Sequence, residues 1–198
     1  MPKVSIIIAA RNSGKYIERA IRSCLNQRFD DFEVIVVNDS SHDNTRQVAS
    51  LFGDSIKLIN IARKEIGCGT PSNIGIKASK SQYIVRVDSD DFVSPELLYI
   101  EYMFLEQNKW LDAVACDYYV VDENESILYR AEPETYPIAC GVMFRKDRFI
   151  DIGLYDESIC VGEEVELMER FLLKNNVYNI PLPLYRYYKH EGSLSWQS

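Results

Sequence analysis

Short apolar runs alternate through the first half of the chain with stretches whose apolar residues recur every three or four positions. The runs predict buried strands at Val4 to Ala9, Glu33 to Val37, Ile56 to Ile61 and Tyr83 to Val87. The periodic stretches predict helices. Gly14 to Gln27 carries Ile17, Ile21, Cys24 and Leu25, and Asp43 to Phe52 starts on a capping Asp43. Thr70-Pro71 opens a third, with Ile74 and Ala78 on one face. Ser94 to Lys109 is the longest, with Ser94 as cap, Pro95 at the first helical position and Glu96 in the first turn. Repeated strand-helix-strand units with continuous apolar strands predict a parallel sheet covered on both faces. Ligands of such sheets bind beyond the carboxyl ends of the strands. The polar residues that close these strands are Arg11 and Asn12, Asn38 and Asp39, and Asp88 to Asp91.

The second half changes character. Ala113 to Val121 and Ile127 to Arg130 flank the turn Asp122-Glu123-Asn124-Glu125 and predict a hairpin. Ile138 to Phe144 predicts a strand and Glu163 to Leu173 a helix, and Asn179 to Pro183 and Leu184 to His190 are short extended pieces. With no Ser/Gly/Pro-rich linker and no repeat, the 198 residues are expected to form one α/β domain.

Apolar residues at 46% and charged residues at 26% suit a soluble globular protein. The net charge of −8 argues against a nucleic-acid partner. The odd number of widely spaced cysteines (Cys24, Cys68, Cys116, Cys140 and Cys160) suggests neither a disulfide framework nor a zinc site, so buried free thiols in a reducing compartment are expected. No apolar run approaches the ~20 residues of a membrane span. Met1-Pro2-Lys3-Val4 leads directly into a strand, which leaves no room for a signal peptide. A cytoplasmic protein is expected.

Asp88-Ser89-Asp90-Asp91 is the densest chemistry in the chain. Carboxylates crowded on one loop repel unless water or a cation intervenes. Mg²⁺ and Mn²⁺ favour carboxylate oxygens and are commonly shared with phosphates. A solvated acidic turn is the plainer reading; the neighbouring segments favour a metal and diphosphate site. A dinucleotide fold would need G-x-G-x-x-G after the first strand, whereas the chain has Ala9-Ala10-Arg11-Asn12-Ser13-Gly14. An EF-hand fails because Val93 stands where glycine is required and Tyr99 where the bidentate Glu belongs.

Taken together, Val4 to Ile8, Asn12, Ile17, Ala20, Ile21, Ser23 and Gln27, then Glu33 to Ser41 with Asp43-Asn44-Thr45, resemble the opening of family 2 glycosyltransferases. The resemblance continues through Asn73, Gly75, Ala78 and Tyr83-Ile84 into Asp88 to Asp91. It resumes at Gly153 to Glu157, Gly162-Glu163-Glu164, Leu167 and Arg170, and ends near Tyr185-Arg186 and His190. It implies a GT-A fold: a Rossmann-like, mostly parallel central sheet flanked by helices, with a small mixed sheet on the acceptor side. Residues up to about 110 would form the nucleotide-sugar half and those from about 111 the acceptor half.

The resemblance also implies an inverting, metal-dependent transfer of a hexose from a nucleotide diphosphate sugar, a UDP-sugar first among the candidates, to an acceptor hydroxyl. Carried over by position, Ala9, Arg11, Asn12, Asp39, Asn73, Asp88, Ser89 and Asp90 would bind the donor. Asp90 and Asp88, with His190, would hold Mn²⁺ or Mg²⁺ on the diphosphate. Glu163-Glu164 takes the place of the family's Glu-Asp pair, and Glu164 would be the general base. Helix-dipole complementation is the plainer role for that pair. Arg170 would brace the acidic helix through Glu166. Three departures stand out: Ser40 for a glycine, His42 for a threonine, and Pro71-Ser72-Asn73 where many relatives have Ala-Arg-Asn. Lys77 or Arg63 could replace the missing arginine.

The acceptor stays open among a saccharide, a lipid-linked sugar and a protein, and a lipid-linked acceptor would bring peripheral contact with the inner face of a membrane. Two other functions compete. One is a nucleotide-sugar-binding partner of another transferase, with little or no turnover. The other is a nucleotidyltransferase, which would carry a glycine-rich basic loop after strand 1 that this chain lacks.

Overall fold

The computed structural model describes residues 1–63, 67–132 and 138–190. Its sheet starts from β1 (Val4–Ala10), β2 (Phe32–Asp39), β3 (Lys57–Ile61) and β4 (Tyr83–Arg86). These four are parallel, in the order β3-β2-β1-β4. The helices α1 (Ile17–Leu25), α2 (Thr45–Ser50) and α3 (Gly69–Ala78) connect them. Beyond β4 the sheet continues through β8 (Met143–Arg145), β6 (Ala113–Val121), β9 (Val177–Tyr188) and β5 (Phe92–Val93), while β7 (Ile127–Ala131) pairs with β6. The strands of the second half therefore extend the same sheet, with both parallel and antiparallel neighbours. Helices α4 (Leu97–Gln107), α5 (Lys146–Asp151) and α6 (Glu163–Leu172) complete the chain.

Alternation along β1 explains the two-sided burial. Ile6 and Ile8 pack in one core with Ile17, Ile21, Leu97 and Leu98. Ile7 faces the other core with Ile76, Phe144, Phe149 and Phe171. Each such side chain contributes ~1.5–3 kcal/mol on burial. In α1 the buried positions Ile17, Ala20, Ile21 and Cys24 follow the helical repeat. Gly75 lets α3 approach β1: a Cβ there would lie 2.5 Å from the Ile7 side chain.

Several elements differ from the sequence reading. The two C-terminal extended pieces are one strand, β9, despite Pro181 and Pro183. The strand expected from Ile138 begins at Met143, preceded by a single bridge from Cys140 to Arg86. The longest helix starts at Leu97, and Ser94 Oγ accepts from the Glu96 amide at 3.4 Å. Of the five cysteines, Cys24, Cys116 and Cys140 are buried, Cys68 is half-buried and Cys160 is exposed.

Glu101, on α4, is fully buried, and among the described residues neither carboxyl oxygen has a hydrogen bond. Burial pushes this carboxyl well above the usual glutamate range, with the neighbouring Cys116 thiol pulling the other way. The folded state therefore holds a proton that the unfolded chain releases. Stability is greatest at or below the ordinary glutamate pKa and falls as pH rises towards the raised folded value. Glu101→Gln is neutral at every pH. It should match wild type near pH 4.5 and be more stable near pH 7, by up to about 3 kcal/mol. Thermal unfolding across that range would read the difference; parallel curves for the two proteins would refute it.

Candidate active site

Parallel register brings the carboxyl ends of four strands to one sheet edge. Ala10 pairs with Asn38, Asp39 with Ile61, and Ile7 with Arg86. Ala9 lies within β1 opposite Val37, and Arg11 and Asn12 follow the strand end. Asn12 has a φ of 53° and stitches two loops together: its amide donates to Ser41 Oγ at 3.0 Å and its Oδ1 accepts from the His42 amide at 2.8 Å. Asp43, expected as the cap, lies one position before the cap residue of α2, Asn44, and its carboxylate accepts from the Thr45 and Gly14 amides, both at 2.9 Å.

Asp39 is buried at this edge. Arg63 grips it with two bonds, Nε to Oδ1 at 2.9 Å and Nη2 to Oδ2 at 2.7 Å, and Arg11 Nη1 approaches Oδ2 at 3.4 Å. Of the two basic residues considered for the missing arginine, Arg63 is the one on Asp39; Lys77 lies 4.0 Å from Glu157 instead. Ser40 adopts the left-handed conformation that its glycine counterpart favours, with φ 53°. Its Oγ accepts from the Arg63 amide at 2.8 Å and donates to the Ile61 carbonyl at 3.3 Å, so the substitution also fastens the Arg63 backbone.

The acidic loop divides its carboxylates among three environments. Asp88 Oδ1 pairs with Arg86 Nη2 at 3.0 Å. Asp90 Oδ2 lies 2.9 Å from His190 Nε2, and burial together with the Asp88 charge pushes the Asp90 carboxyl up while His190 opposes. Asp91 is buried and accepts from the Tyr185 hydroxyl at 2.6 Å and the Tyr188 amide at 2.7 Å. Its carboxyl is also pushed up, by burial first and by Asp90 and Asp88 next. Ser89 Oγ shares a 2.6 Å hydrogen bond with Ser13 Oγ. From α1, Arg19 donates to the Asp90 carbonyl at 2.7 Å and lies over the rings of Tyr188 (4.1 Å) and Phe92 (4.5 Å).

Gly162, with φ 82°, turns the chain into α6 and sets Glu163 and Glu164 at its first positions. Glu163 is buried, its Oε1 3.7 Å from Arg86 Nη1. Glu164 Oε1 pairs with Arg86 Nη2 and accepts from the Cys140 thiol at 3.5 Å. Burial raises the Glu164 carboxyl; Arg86 opposes that shift and Asp88 adds to it. Burial likewise pushes up the Cys140 thiol. Antiparallel pairing of β8 with β4 carries the preceding residues to the Arg86 end, which is why Cys140 arrives there. Gly141, with φ 70°, has no room for a side chain: a Cβ would lie 2.7 Å from the Tyr185 ring.

The expected donor and base residues thus meet through Arg86, and Asp90 meets His190. Asn73 does not join them. Its amide is engaged by the Tyr155 backbone, at 2.9 and 3.0 Å, and by Glu157 at 2.9 Å, tying α3 to the segment before α6. Arg170 pairs with Glu166 as expected and also donates to the Ile152 and Leu154 carbonyls. Arg86, Cys140, Arg19 and the contact of Arg63 with Asp39 were not anticipated. Arg86 did carry a signal: a lone charge in a buried apolar strand requires a partner.

The chain matches the sequence profile described as Glycosyl transferase family 2 over residues 5–162. An uncharacterized glycosyltransferase of Rickettsia typhi is 31% identical over 195 residues, covering 89% of this chain and 61% of that protein. The glycosyltransferase GlyG of Streptococcus pneumoniae is 30% identical over 128 residues, 64% of this chain and 42% of its own. Among solved structures, Staphylococcus aureus TarS 1-349 in complex with UDP-GlcNAc superposes with a TM-score of 0.82 at 23% identity, covering 99% of this chain and 61% of that one. The mannosyltransferase PcManGT of Pyrobaculum calidifontis, in complex with GDP-Man and Mn²⁺, gives 0.75 at 14% identity, covering 99% and 60%. At these identities the structural likeness speaks for the fold, which is of GT-A type. No helix among the described residues is long and apolar enough to cross a membrane.

Proposed function

This chain belongs to glycosyl transferase family 2, and we propose that it moves a sugar from a UDP-sugar to an acceptor hydroxyl, inverting the anomeric carbon. One observation carries the reading: Asp39, Asp88, Asp90 and Glu164 converge at a single carboxyl edge of the sheet, with basic side chains between them.

The nucleobase follows from hydrogen-bond chemistry. Asp39 is an acceptor flanked by the N–H groups of Arg11 and Arg63. Uracil offers the complement, a ring N–H between two carbonyls. Cytosine and adenine have no such N–H, and guanine sets two donors beside one carbonyl. A base that bonds Asp39 would exchange part of the Arg63 grip for its own edge. The TarS neighbour was crystallised with UDP-GlcNAc, which favours the same choice.

Asp90 and His190, which already meet, would hold a divalent ion together with Asp88, whose carboxylate lies instead beside Cys140 and Glu164 and would turn from them to reach it. Two carboxylates and an imidazole, with the imidazole 2.9 Å from Asp90, suit Mn²⁺, the ion in the PcManGT complex, and the carboxylates suit Mg²⁺ as well. Such an ion would offset the charge gathering on the departing diphosphate. Glu164 takes the acceptor hydroxyl proton. The oxygen's electron pair forms the new bond to the anomeric carbon, on the face opposite the diphosphate. The old bond from that carbon to the β-phosphate oxygen breaks, and its pair leaves with UDP. Arg19 holds the Asp90 backbone throughout.

A second reading, a donor-binding partner without turnover, has one observation in its favour: Glu164 is already paired with Arg86. Calorimetric titration of UDP, GDP, CDP and dTDP, with and without Mn²⁺, tests the shared premise. UDP should bind best and should need the ion, and Asp90→Asn should weaken it by about 10- to 100-fold. The dTDP arm is included because thymine shares the uracil edge. Equal binding of all four, or none, overturns the donor site. Turnover is read by screening UDP-sugars for UDP release.

A further inference from the structure

We propose that Arg86 and Cys140 are positioning residues that hold one oxygen of the Glu164 carboxylate so that the other faces the acceptor hydroxyl. The inference rests on the glycosyl-transfer reading with Glu164 as base.

The two donors converge on the same atom. Arg86 Nη2 pairs with Glu164 Oε1, and the Cys140 thiol donates to that oxygen at 3.5 Å. Glu164 Oε2 has no hydrogen bond among the described residues, and the side chain keeps 28% of its surface exposed. A glutamate has one more rotatable bond than an aspartate, and its freedom costs up to ~2 kcal/mol to remove. Fixing one oxygen removes that freedom before the acceptor arrives. The departure from the family's usual aspartate is then matched by a device that suits the longer side chain.

Arg86 is fit to act as an anchor. It ends a strand whose four residues are all buried, its guanidinium lies 5.4 Å from the Tyr155 ring centre, and its side chain is 6% exposed. Behind it lies a cavity of about 10 Å³, lined by Ser72, Tyr155, Phe144 and Ile76 among others. Among the described residues, Arg86 Nε and Nη1 and Ser72 Oγ are buried without a hydrogen bond. One water fits such a space and would brace the guanidinium from the rear. In front, the same Nη2 meets Asp88 Oδ1 at 3.0 Å. A single rigid cation thereby sets the spacing between the donor loop and the base. Charge compensation of three carboxylates is the plainer role for Arg86. It needs neither the thiol on the same oxygen nor an open Oε2.

A double-mutant cycle separates the two. Arg86→Met, Cys140→Ala and Cys140→Ser are each made in wild type and in Glu164→Gln. UDP affinity is read by calorimetry and turnover as UDP release from the UDP-sugar that the screen selects. Arg86→Met should lower kcat on the order of 10²-fold and, because Arg86 also pairs with Asp88, should weaken UDP as well, whereas Cys140→Ala leaves that pair intact and should keep UDP affinity within about twofold. Cys140→Ala should lower kcat about fivefold, and Cys140→Ser should restore most of it because a hydroxyl donates the same bond. In the Glu164→Gln background neither change should reduce the residual rate further. Equal losses in both backgrounds overturn the proposal, as does a loss of UDP affinity in Cys140→Ala that parallels its loss of kcat. Should Arg86→Met not fold, the alanine and serine variants at Cys140 decide by the same criteria. Full activity of these variants beside an inactive Glu164→Gln overturns the positioning role alone. Absence of wild-type turnover on every UDP-sugar overturns the transferase reading itself.

Discussion

Glu164→Gln is expected to lower UDP release from the sugar donor by about 10³-fold while leaving UDP affinity unchanged. Glutamine keeps the size of the side chain, and its carbonyl oxygen can still accept from Arg86 and Cys140, the two partners of Oε1. What it cannot do is take a proton. The loss should therefore appear in kcat, with the calorimetric UDP isotherm and the unfolding temperature close to wild type. Glu164→Asp provides a sharper companion. It restores an ionisable group but withdraws it by about 1 Å, a displacement that can cost about 10²-fold in rate. An aspartate variant as active as wild type would mean that the clamp on Oε1 contributes nothing. A glutamine variant that still turns over would remove Glu164 as the base and turn attention to Glu163, whose Oε1 also faces Arg86 at 3.7 Å.

The parts of the site legible in the sequence are those that end a strand. Asp39 and Asp88 to Asp91 follow runs that are apolar except for Asn38 and Arg86, and parallel pairing then fixes them on one edge. The helix carrying Glu163 and Glu164 was legible from the periodicity of Leu167, Met168 and Phe171, all of which are buried. Contacts that depend on distant pairing were not legible. Cys140 reaches Glu164 only because β8 runs antiparallel to β4, and a thiol in an apolar stretch gives no sign of that. Arg63 reaches back to Asp39 from the end of the neighbouring strand, across 24 positions of sequence. The strand β5 has two residues and α5 has six, too few for periodicity to register. The two extended pieces expected at Asn179 to Pro183 and Leu184 to His190 join into one strand across Pro181 and Pro183. These prolines fall where β9 pairs with β6 alone among the described residues, beside register shifts at Cys116 to Tyr118, so the missing N–H groups take no ladder bond away from β5.

Asp39→Ala should combine the largest losses of binding and of stability in one substitution. The Asp39 side chain is only 2% exposed and compensates Arg63, itself 13% exposed, with Arg11 close by. Removing one partner of a buried pair leaves the other charge uncompensated and typically costs about 3–5 kcal/mol. Water reaching Arg63 would soften the cost, so the lower end of that range is expected. In a chain of this size each kcal/mol corresponds to about 2–4 °C in Tm. The same change deletes the acceptor for the uracil N–H, so UDP affinity should fall by 100-fold or more, a loss of about 3 kcal/mol. The two effects are separable because ligand and fold are linked. At 100 times its Kd, UDP stabilises a binding-competent protein by about 2.7 kcal/mol. UDP with Mn²⁺ should thus raise the unfolding temperature of wild type by several degrees and leave that of Asp39→Ala unmoved. Arg63→Met tests the other half of the same contact. It leaves the carboxylate acceptor and Arg11 but removes the Arg63 donors, so UDP affinity should fall and its margin over CDP should narrow. If Asp39→Ala were destabilised yet still shifted by UDP, Asp39 would be a structural partner of Arg63, and the base would be read elsewhere on the edge.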